Sequence, residues 1–275
     1  MGTLYLIGTP IGNLEDITLR ALRLLREVPV IAAEDTRRAR ILLQHYGIAT
    51  RPISYFEGNK VARLEKLLRA LASGDVALIS EAGMPGLSDP GYELVRAAVA
   101  QGYQVVPVPG PSAPIAALVA SGLPGDCFLY LGFLPRRAAQ RRALLASVVG
   151  EPATLVAFEA PHRLRATLAD LLETLGDRPV ALCRELTKQH EEIWRGTLSQ
   201  AVGRYQTEEP RGEFTLVIGG ASRPEKMWDE GRVCEALVEK VNAGIPPSQA
   251  AREVAAAAGW ERRQVYKLWK GERRP

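Results

Sequence analysis

The chain has 275 residues, enough for two domains of ordinary size plus an appendage. Hydrophobic residues make up 47% and charged residues 24%, a balance that excludes a disordered chain, and the net charge is a modest +4. No apolar run approaches the roughly 18 residues of a membrane span, and residues 1–12 carry no basic flank or cleavage pattern, so a soluble cytoplasmic protein is expected.

Read in order, residues 4–7 form an apolar strand, 17–27 a helix with apolar residues at helical spacing, and 29–33 the next strand. A helix over 36–46, a short strand over 52–55, a helix over 59–72 and an unbroken apolar strand over 75–79 follow. Residues 91–101 are helical, 104–108 a strand, and 112–121 a helix that Ser112 is expected to cap before Gly122 and Pro124 end it. This alternation predicts right-handed βαβ units around a parallel sheet.

Gly and Pro thicken over 122–126 and the pattern restarts, which sets a domain boundary between residues 122 and 123. The second domain, 123–222, reads as a strand over 128–131, a helix over 138–149, a strand over 154–158 and a helix over 162–175. Strands over 180–184, 192–196 and 214–219 complete it; the first two are too close for a crossover, so a hairpin and a mixed sheet are expected. Residues 223–275 form an appendage of three short helices over 233–241, 248–258 and 261–269, with the spacing of a helix-turn-helix.

Charge is unevenly spread. Residues 260–275 hold six Arg or Lys and two Glu, a local excess that suits a polyanion. Arg262, Arg263, Lys267 and Lys270 on the third helix are its candidate contacts, although a helical cap would show the same apolar spacing. Arg136, Arg137, Arg141 and Arg142 form a second cluster at a helix start, where the macrodipole disfavours positive charge. Nucleic-acid contact and a solvated face are the two readings there. Cys127, Cys183 and Cys234 are far apart and the three histidines equally dispersed, so reduced core residues and no metal site are expected.

Two loops, residues 80–91 (SEAGMPGLSDPG) and 109–117 (PGPSAPIAA), each follow a strand and precede a helix. Both should therefore lie at carboxyl ends of parallel strands, where open α/β sheets bind ligands. Neither carries GxGxxG or GxxxxGK[ST], yet glycine, proline and small polar residues permit close backbone approach to a small ligand that is not a nucleotide phosphate.

Together with residues 7–21 (IGTPIGNLEDITLRA), 33–37 (AEDTR), 132–135 (GFLP), 158–163 (FEAPHR) and 184–188 (RELTK), these loops resemble the bacterial 16S ribosomal RNA cytidine 2′-O-methyltransferases of the tetrapyrrole (corrin/porphyrin) methylase superfamily. The resemblance runs from about residue 4 to residue 220, and the helical tail resembles the appendage many members carry. It implies two α/β domains with S-adenosylmethionine in the cleft between them, a homodimer, and 16S rRNA of the small ribosomal subunit as partner. Residues 9–12 stand where tetrapyrrole enzymes have GPG, a departure that removes a glycine; Pro10 is the candidate contact there. The GDPxxxG loop corresponds to Ser80, Glu81, Ala82, Gly83, Met84 and Leu87, with Asp89 in a second Asp-Pro-Gly. Ser112 and Ala113 match the small pair after Pro-Gly, Glu159 the position near the methionine part, and the strand from Phe214 to Gly219 the last cofactor-lining strand.

A ribose hydroxyl is a poor nucleophile, so a base or a cation should assist it. Glu34 and Asp35 at the end of the second strand, with Arg37 and Arg38 beside them for phosphates, and Glu185 with Lys188 are the candidates, with Asp35, Glu185 and Lys188 favoured, and each carboxylate serves equally well as a salt-bridge partner. Two rivals stand beside this reading: the same fold methylating a tetrapyrrole or other small molecule, and a non-enzymatic helix-turn-helix nucleic-acid binder.

Overall fold

In the first half of the chain, four- and five-residue apolar runs alternate with helices whose apolar residues fall on one side, so every strand can be covered on both faces. The computed structural model describes residues 2–221 and 228–271, without the side chains of 270 and 271. Its elements are β1 (Thr3–Ile7), α1 (Leu19–Glu27), β2 (Val30–Ala33), α2 (Thr36–His45), β3 (Pro52–Ser54), α3 (Lys60–Ser73), β4 (Val76–Ile79), α4 (Tyr92–Ala100) and β5 (Gln104–Val108). The five strands are all parallel, in the order β3-β2-β4-β1-β5.

That order dictates the layers. The chain leaves β1 towards one edge and returns through β4 towards the other, so right-handed crossovers place α1 and α2 on one face and α3 and α4 on the opposite one. Ile7, Ile31, Ala77 and Ile79 accordingly pack with Leu25 and Leu43, while Leu4, Ala32, Val76 and Leu78 pack with Leu67 and Leu94. The N-caps of α1 and α2 are side-chain caps from Thr18 and Asp35.

Next, α5 (Ala113–Ser121) ends at Gly122 in a left-handed conformation (φ +79°). Ser112 sits at its N-cap position, but its hydroxyl makes no capping hydrogen bond, contrary to expectation. Then come β6 (Phe128–Phe133), α6 (Ala138–Ser147), β7 (Thr154–Glu159), α7 (Pro161–Leu175), β8 (Pro179–Arg184), β9 (Glu192–Thr197), α8 (Leu198–Thr207) and β10 (Phe214–Ile218). The second sheet is mixed, in the order β6-β7-β10-β8-β9: β6 and β7 run parallel, the remaining pairs antiparallel, with β8 and β9 as the hairpin.

The sequence reading left α8 out. Its signal is local: Thr197 and Gln200 form a capping box, and Leu198, Ala201 and Tyr205 bury one stripe against the sheet. On the other sheet face Val156, Ala181, Cys183 and Val217 pack against Ala117 and Leu118 of α5. The helix that leaves the first sheet is thus the cover of the second.

Residues Met1–Gly220 form one compact unit and Ala221–Pro275 another. The latter contains α9 (Glu230–Asn242), α10 (Pro247–Ala258) and α11 (Arg262–Gly271) around Val233, Leu237, Ala251, Val254 and Val265. Among the described residues no helix is long and apolar enough to cross a membrane.

Candidate active site

All five parallel strands deliver their carboxyl ends to one edge, and three of the loops there are locked together by glycine contacts. A Cβ on Gly8 would lie 2.8 Å from Gly110 Cα and 2.8 Å from Met84 Sδ, so the loops after β1 and β5 meet closely enough to require glycine. Thr9 N–H donates to Gly83 O (2.9 Å) and Gly83 N–H to Thr9 O (3.0 Å), which pins the loop after β4 to the first. Gly83 adopts φ +82° to do so.

The second sheet reaches the same edge through residues 185–188. A Cβ on Gly12 would lie 2.4 Å from Lys188 Cγ, so this loop rests directly on the one after β1. Glu185 (φ +51°) and Thr187 (φ +66°) hold left-handed backbone conformations, costly for a β-branched residue and common where a site imposes geometry. Across the opening, Ser88 Oγ and Tyr130 Oη lie 2.7 Å apart, a second tie between the loop after β4 and the other sheet.

Between these ties lies a cavity of about 640 Å³, within the range of small-molecule sites. Ile11, Met84, Leu87, Phe133 and Phe158 supply apolar wall, and Glu34, Asp89, Ser112, Glu185, Lys188 and Thr215 supply polar groups. A second cavity of about 350 Å³ adjoins it, sharing Ile11, Glu81, Ala82 and Lys188 and adding Thr9, Pro10, Arg38 and Ile41. Among the described residues, no group of three or more His, Cys, Asp and Glu could hold a metal ion.

Lys188 Nζ lies 2.8 Å from both Glu185 Oε1 and Glu213 Oε2, and Glu185 Oε1 also accepts from Glu213 N–H (2.8 Å). Burial pushes the Glu185 carboxyl up, but the Lys188 ammonium and the Glu213 amide outweigh it and leave it below the ordinary range. Burial likewise pulls Lys188 down, and its two carboxylates more than restore it. Glu185 is therefore ionised and Lys188 protonated at neutral pH. Burial raises Glu34, whose Oε2 accepts from Glu81 N–H (3.3 Å). Burial, then the nearby Glu34 charge, lifts Asp89 to about 7, against a hydrogen bond from Ser80.

Of the expected cofactor residues, Glu81, Ala82, Gly83, Met84, Leu87, Asp89, Ser112, Ala113, Glu159 and Phe214 line the larger cavity. Pro10 and Ser80 line the smaller one instead. The Ser80 hydroxyl, buried, donates to Gly83 O (3.3 Å) and so shapes the loop. Gly219 lies at the far end of β10 and is a correction: an antiparallel strand meets the cavity only with its beginning, and five residues of strand span roughly 17 Å. Its amide and carbonyl are bonded to Pro179 and Arg178 there.

Two further expectations change role. Glu159 is buried with its carboxylate committed to the Thr167 hydroxyl (2.5 Å), the Ala160 amide (2.8 Å) and the Arg163 guanidinium (3.2 Å). The side chain of Phe214 packs into the core behind the sheet against Tyr205, and alternation turns its neighbour Thr215, whose hydroxyl has no partner among the described residues, towards the α5 side.

Glu185 and Lys188 line the cavity, whereas Asp35 does not. The Asp35 carboxylate caps α2, accepting from the Arg37 amide (2.7 Å) and side chain (3.1 Å), and Arg37 holds it below its usual range. Of the two carboxylates after β2 it is Glu34 that faces the cavity. Arg38 lines the smaller cavity, 2.9 Å from Glu81.

The second basic cluster divides. Arg136 and Arg137 are exposed and make no ion pair among the described residues, but Arg141 is buried 2.5 Å from Asp170, which Arg142 also approaches at 3.2 Å. Arg262, Arg263 and Lys267 are exposed on α11; Lys270 belongs to its backbone, and its side chain lies outside the described residues. Ser88, Tyr130, Phe133, Phe158, Glu213 and Thr215 are site residues that the sequence did not single out.

The family model of the Tetrapyrrole (Corrin/Porphyrin) Methylases matches residues 3–202. A protein of Halalkalibacterium halodurans named ribosomal RNA small subunit methyltransferase I is 47% identical over 276 residues, covering 98% of this chain and 96% of its own. One of the same name from Thermotoga maritima is 49% identical over 221 residues, covering 80% of this chain and 99% of its own. The crystal structure of uroporphyrin-III C-methyl transferase from Thermus thermophilus complexed with S-adenyl homocysteine superposes with a TM-score of 0.54 at 24% identity, covering 78% of this chain and 97% of the other.

Proposed function

The chain belongs to the tetrapyrrole (corrin/porphyrin) methylase family, and from that premise we infer that it is an S-adenosylmethionine-dependent methyltransferase of small-subunit ribosomal RNA. Its reaction is 2′-O-methylation of a cytidine ribose in the decoding region of 16S rRNA. Near-full-length identity of 47% to a relative named ribosomal RNA small subunit methyltransferase I carries the reading. Arg38 in the wall of the adjoining cavity favours RNA over a tetrapyrrole or other small acceptor, and the cavity itself speaks against a non-enzymatic DNA binder.

The larger cavity suits the cofactor. Gly83 and Gly110 allow main-chain approach, Met84, Leu87 and Phe158 offer apolar contact, the unbonded hydroxyls of Ser112 and Thr215 offer partners, and Glu34 and Asp89 favour a cationic ligand. When bound, the cofactor supplies an electrophilic methyl group for in-line transfer, so rigid positioning is the protein's main task. The prolines and glycine locks of the loops provide it. On the acceptor side Glu185 takes the ribose proton, and Lys188 keeps that carboxylate ionised while favouring the developing oxyanion.

The reading assigns residues 1–122 and 123–222 to the two methylase domains and 223–275 to an RNA-contacting appendage. Arg38 contacts the acceptor nucleotide, Arg37, Arg136 and Arg137 hold phosphates, and Arg262, Arg263, Lys267 and Lys270 hold them from the appendage. A relative of the same name that aligns over only 80% of this chain supports assigning the appendage to affinity rather than chemistry. A homodimer fits the exposed Ile115 and Val119 on α5, and a ribosomal substrate implies a cytoplasmic enzyme.

Labelled S-adenosylmethionine and small subunits lacking the modification test this directly. The label is expected on one cytidine 2′-oxygen; transfer to a tetrapyrrole but not to rRNA would favour the small-molecule enzyme.

A further inference from the structure

The smaller cavity adjoins the larger one in a specific position. The two share Ile11, Glu81, Ala82 and Lys188, so a ligand in one touches the wall of the other. Lys188, with Glu185 at 2.8 Å, stands at this junction. An acceptor whose reacting hydroxyl meets that pair must extend its remaining parts away from the cofactor, and the adjoining space of about 350 Å³ is large enough for a single nucleobase.

Its surface suits a planar base. Ile11, Leu14 and Ile41 provide apolar contact, and Ile41 is 62% exposed on α2, an apolar side chain presented at the cavity rather than buried in the core. The polar element is the pair Arg38–Glu81, with Nη1 2.9 Å from Oε1. Their side chains are 64% and 40% exposed, and an ion pair so open adds little to stability. Among the described residues Glu81 Oε2 has no hydrogen-bond or ion-pair partner, and the guanidinium keeps N–H groups without an acceptor.

We propose that this smaller cavity is the pocket for the acceptor base, and that the Arg38–Glu81 pair reads its pairing edge as cytosine. The proposal rests on the rRNA reading above and deepens it. Cytosine offers an N4 amino donor to a carboxylate and the acceptors N3 and O2 to a guanidinium. Uracil reverses the first two, setting O4 against the carboxylate and N3–H against the guanidinium, so the same pair rejects it. The base must leave its stack to enter, as in other enzymes that act on a nucleotide in a closed pocket.

The test uses the full chain and small subunits reconstituted with rRNA carrying either cytidine or uridine at the mapped acceptor. In wild type, cytidine is methylated in strong preference. Glu81→Gln, whose amide can present either a donor or an acceptor, should shrink the cytidine-to-uridine ratio of kcat/KM at least about tenfold. Ile41→Trp, which fills the pocket from outside the cofactor cavity, should raise the KM for subunits about tenfold while the Kd for S-adenosylmethionine stays within about twofold. Should Glu81→Gln lose cofactor binding, Arg38→Met asks the same ratio question from a residue that does not line the larger cavity. An unchanged ratio in these variants, or wild-type kinetics in Ile41→Trp, overturns the proposal while leaving the rRNA reading intact. Wild-type enzyme that binds cofactor but methylates no ribose of the subunit overturns both.

Discussion

At Glu185 the backbone is turned into the left-handed region, the carboxylate is bound by Lys188 and by the Glu213 amide, and Gly212 (φ +79°) leaves no room for a Cβ, 2.4 Å from Glu185 Cγ. So much local constraint on one ionised, cavity-lining group favours a chemical role over a purely structural one. Glu185→Gln keeps the shape and the amide contact; kcat in the subunit assay should fall about 10²-fold or more, with the cofactor Kd nearly unchanged by calorimetry. Asp89 makes a second residue-scale prediction. Its folded-state pKa of about 7 lies above the ordinary aspartate value of 3.8, so between those values the folded state holds more protons than the unfolded one. Stability from this group is therefore greatest at low pH and declines as pH rises from about 4 to about 7. Asp89→Asn should flatten that decline and raise Tm at pH 8, measured by thermal denaturation across pH.

Elements hold these residues in place by packing that is mostly ordinary and in one case ionic. Arg141 on α6 is 5% exposed and Asp170 on α7 9% exposed, joined by a 2.5 Å contact, with Arg141 Nη1 also donating to Pro135 O (3.3 Å). The pair fixes the start of α6, just after the segment that carries Phe133 into the cavity. Asp170→Ala would strand a buried guanidinium and should cost about 3 kcal/mol, roughly 10 °C in Tm, with little change in cofactor affinity. From the sequence, Arg141 and Arg142 looked like part of one basic patch with Arg136 and Arg137. Linear spacing alone does not distinguish an arginine that faces solvent from one that meets a carboxylate 29 residues later.

For the whole molecule the decisive boundary follows Gly220, where the chain passes from one compact unit to the next. A chain ending at residue 220 should bind S-adenosylmethionine as the full chain does but bind rRNA more weakly, with a shallower dependence of log affinity on log salt as phosphate contacts are lost. Filter binding over a salt series measures both quantities; unaltered rRNA affinity would make the three terminal helices a structural module. Within residues 1–220 the site exists only because two sheets face one set of loops. Gly8 against Gly110, Gly12 against Lys188 and Ser88 against Tyr130 are the contacts that close it.

Much of this was legible in the order of residues. Apolar runs of strand length, helical spacing and caps determined the alternation of elements, the parallel first sheet and the hairpin in the second, because these depend on local periodicity and on loops too short for a crossover. The loops at strand ends, and the pairing of Glu185 with Lys188, follow from the same local logic. Only the tertiary structure decided which carboxylate at the end of β2 faces the cavity, since Asp35 is spent on a helix cap and Glu34 is not. It also decided that Glu159 is satisfied internally, that Gly219 lies at the wrong end of an antiparallel strand, and that a second cavity adjoins the first. Those facts depend on partners distant along the chain and on strand direction, which a sequence encodes only through the fold as a whole.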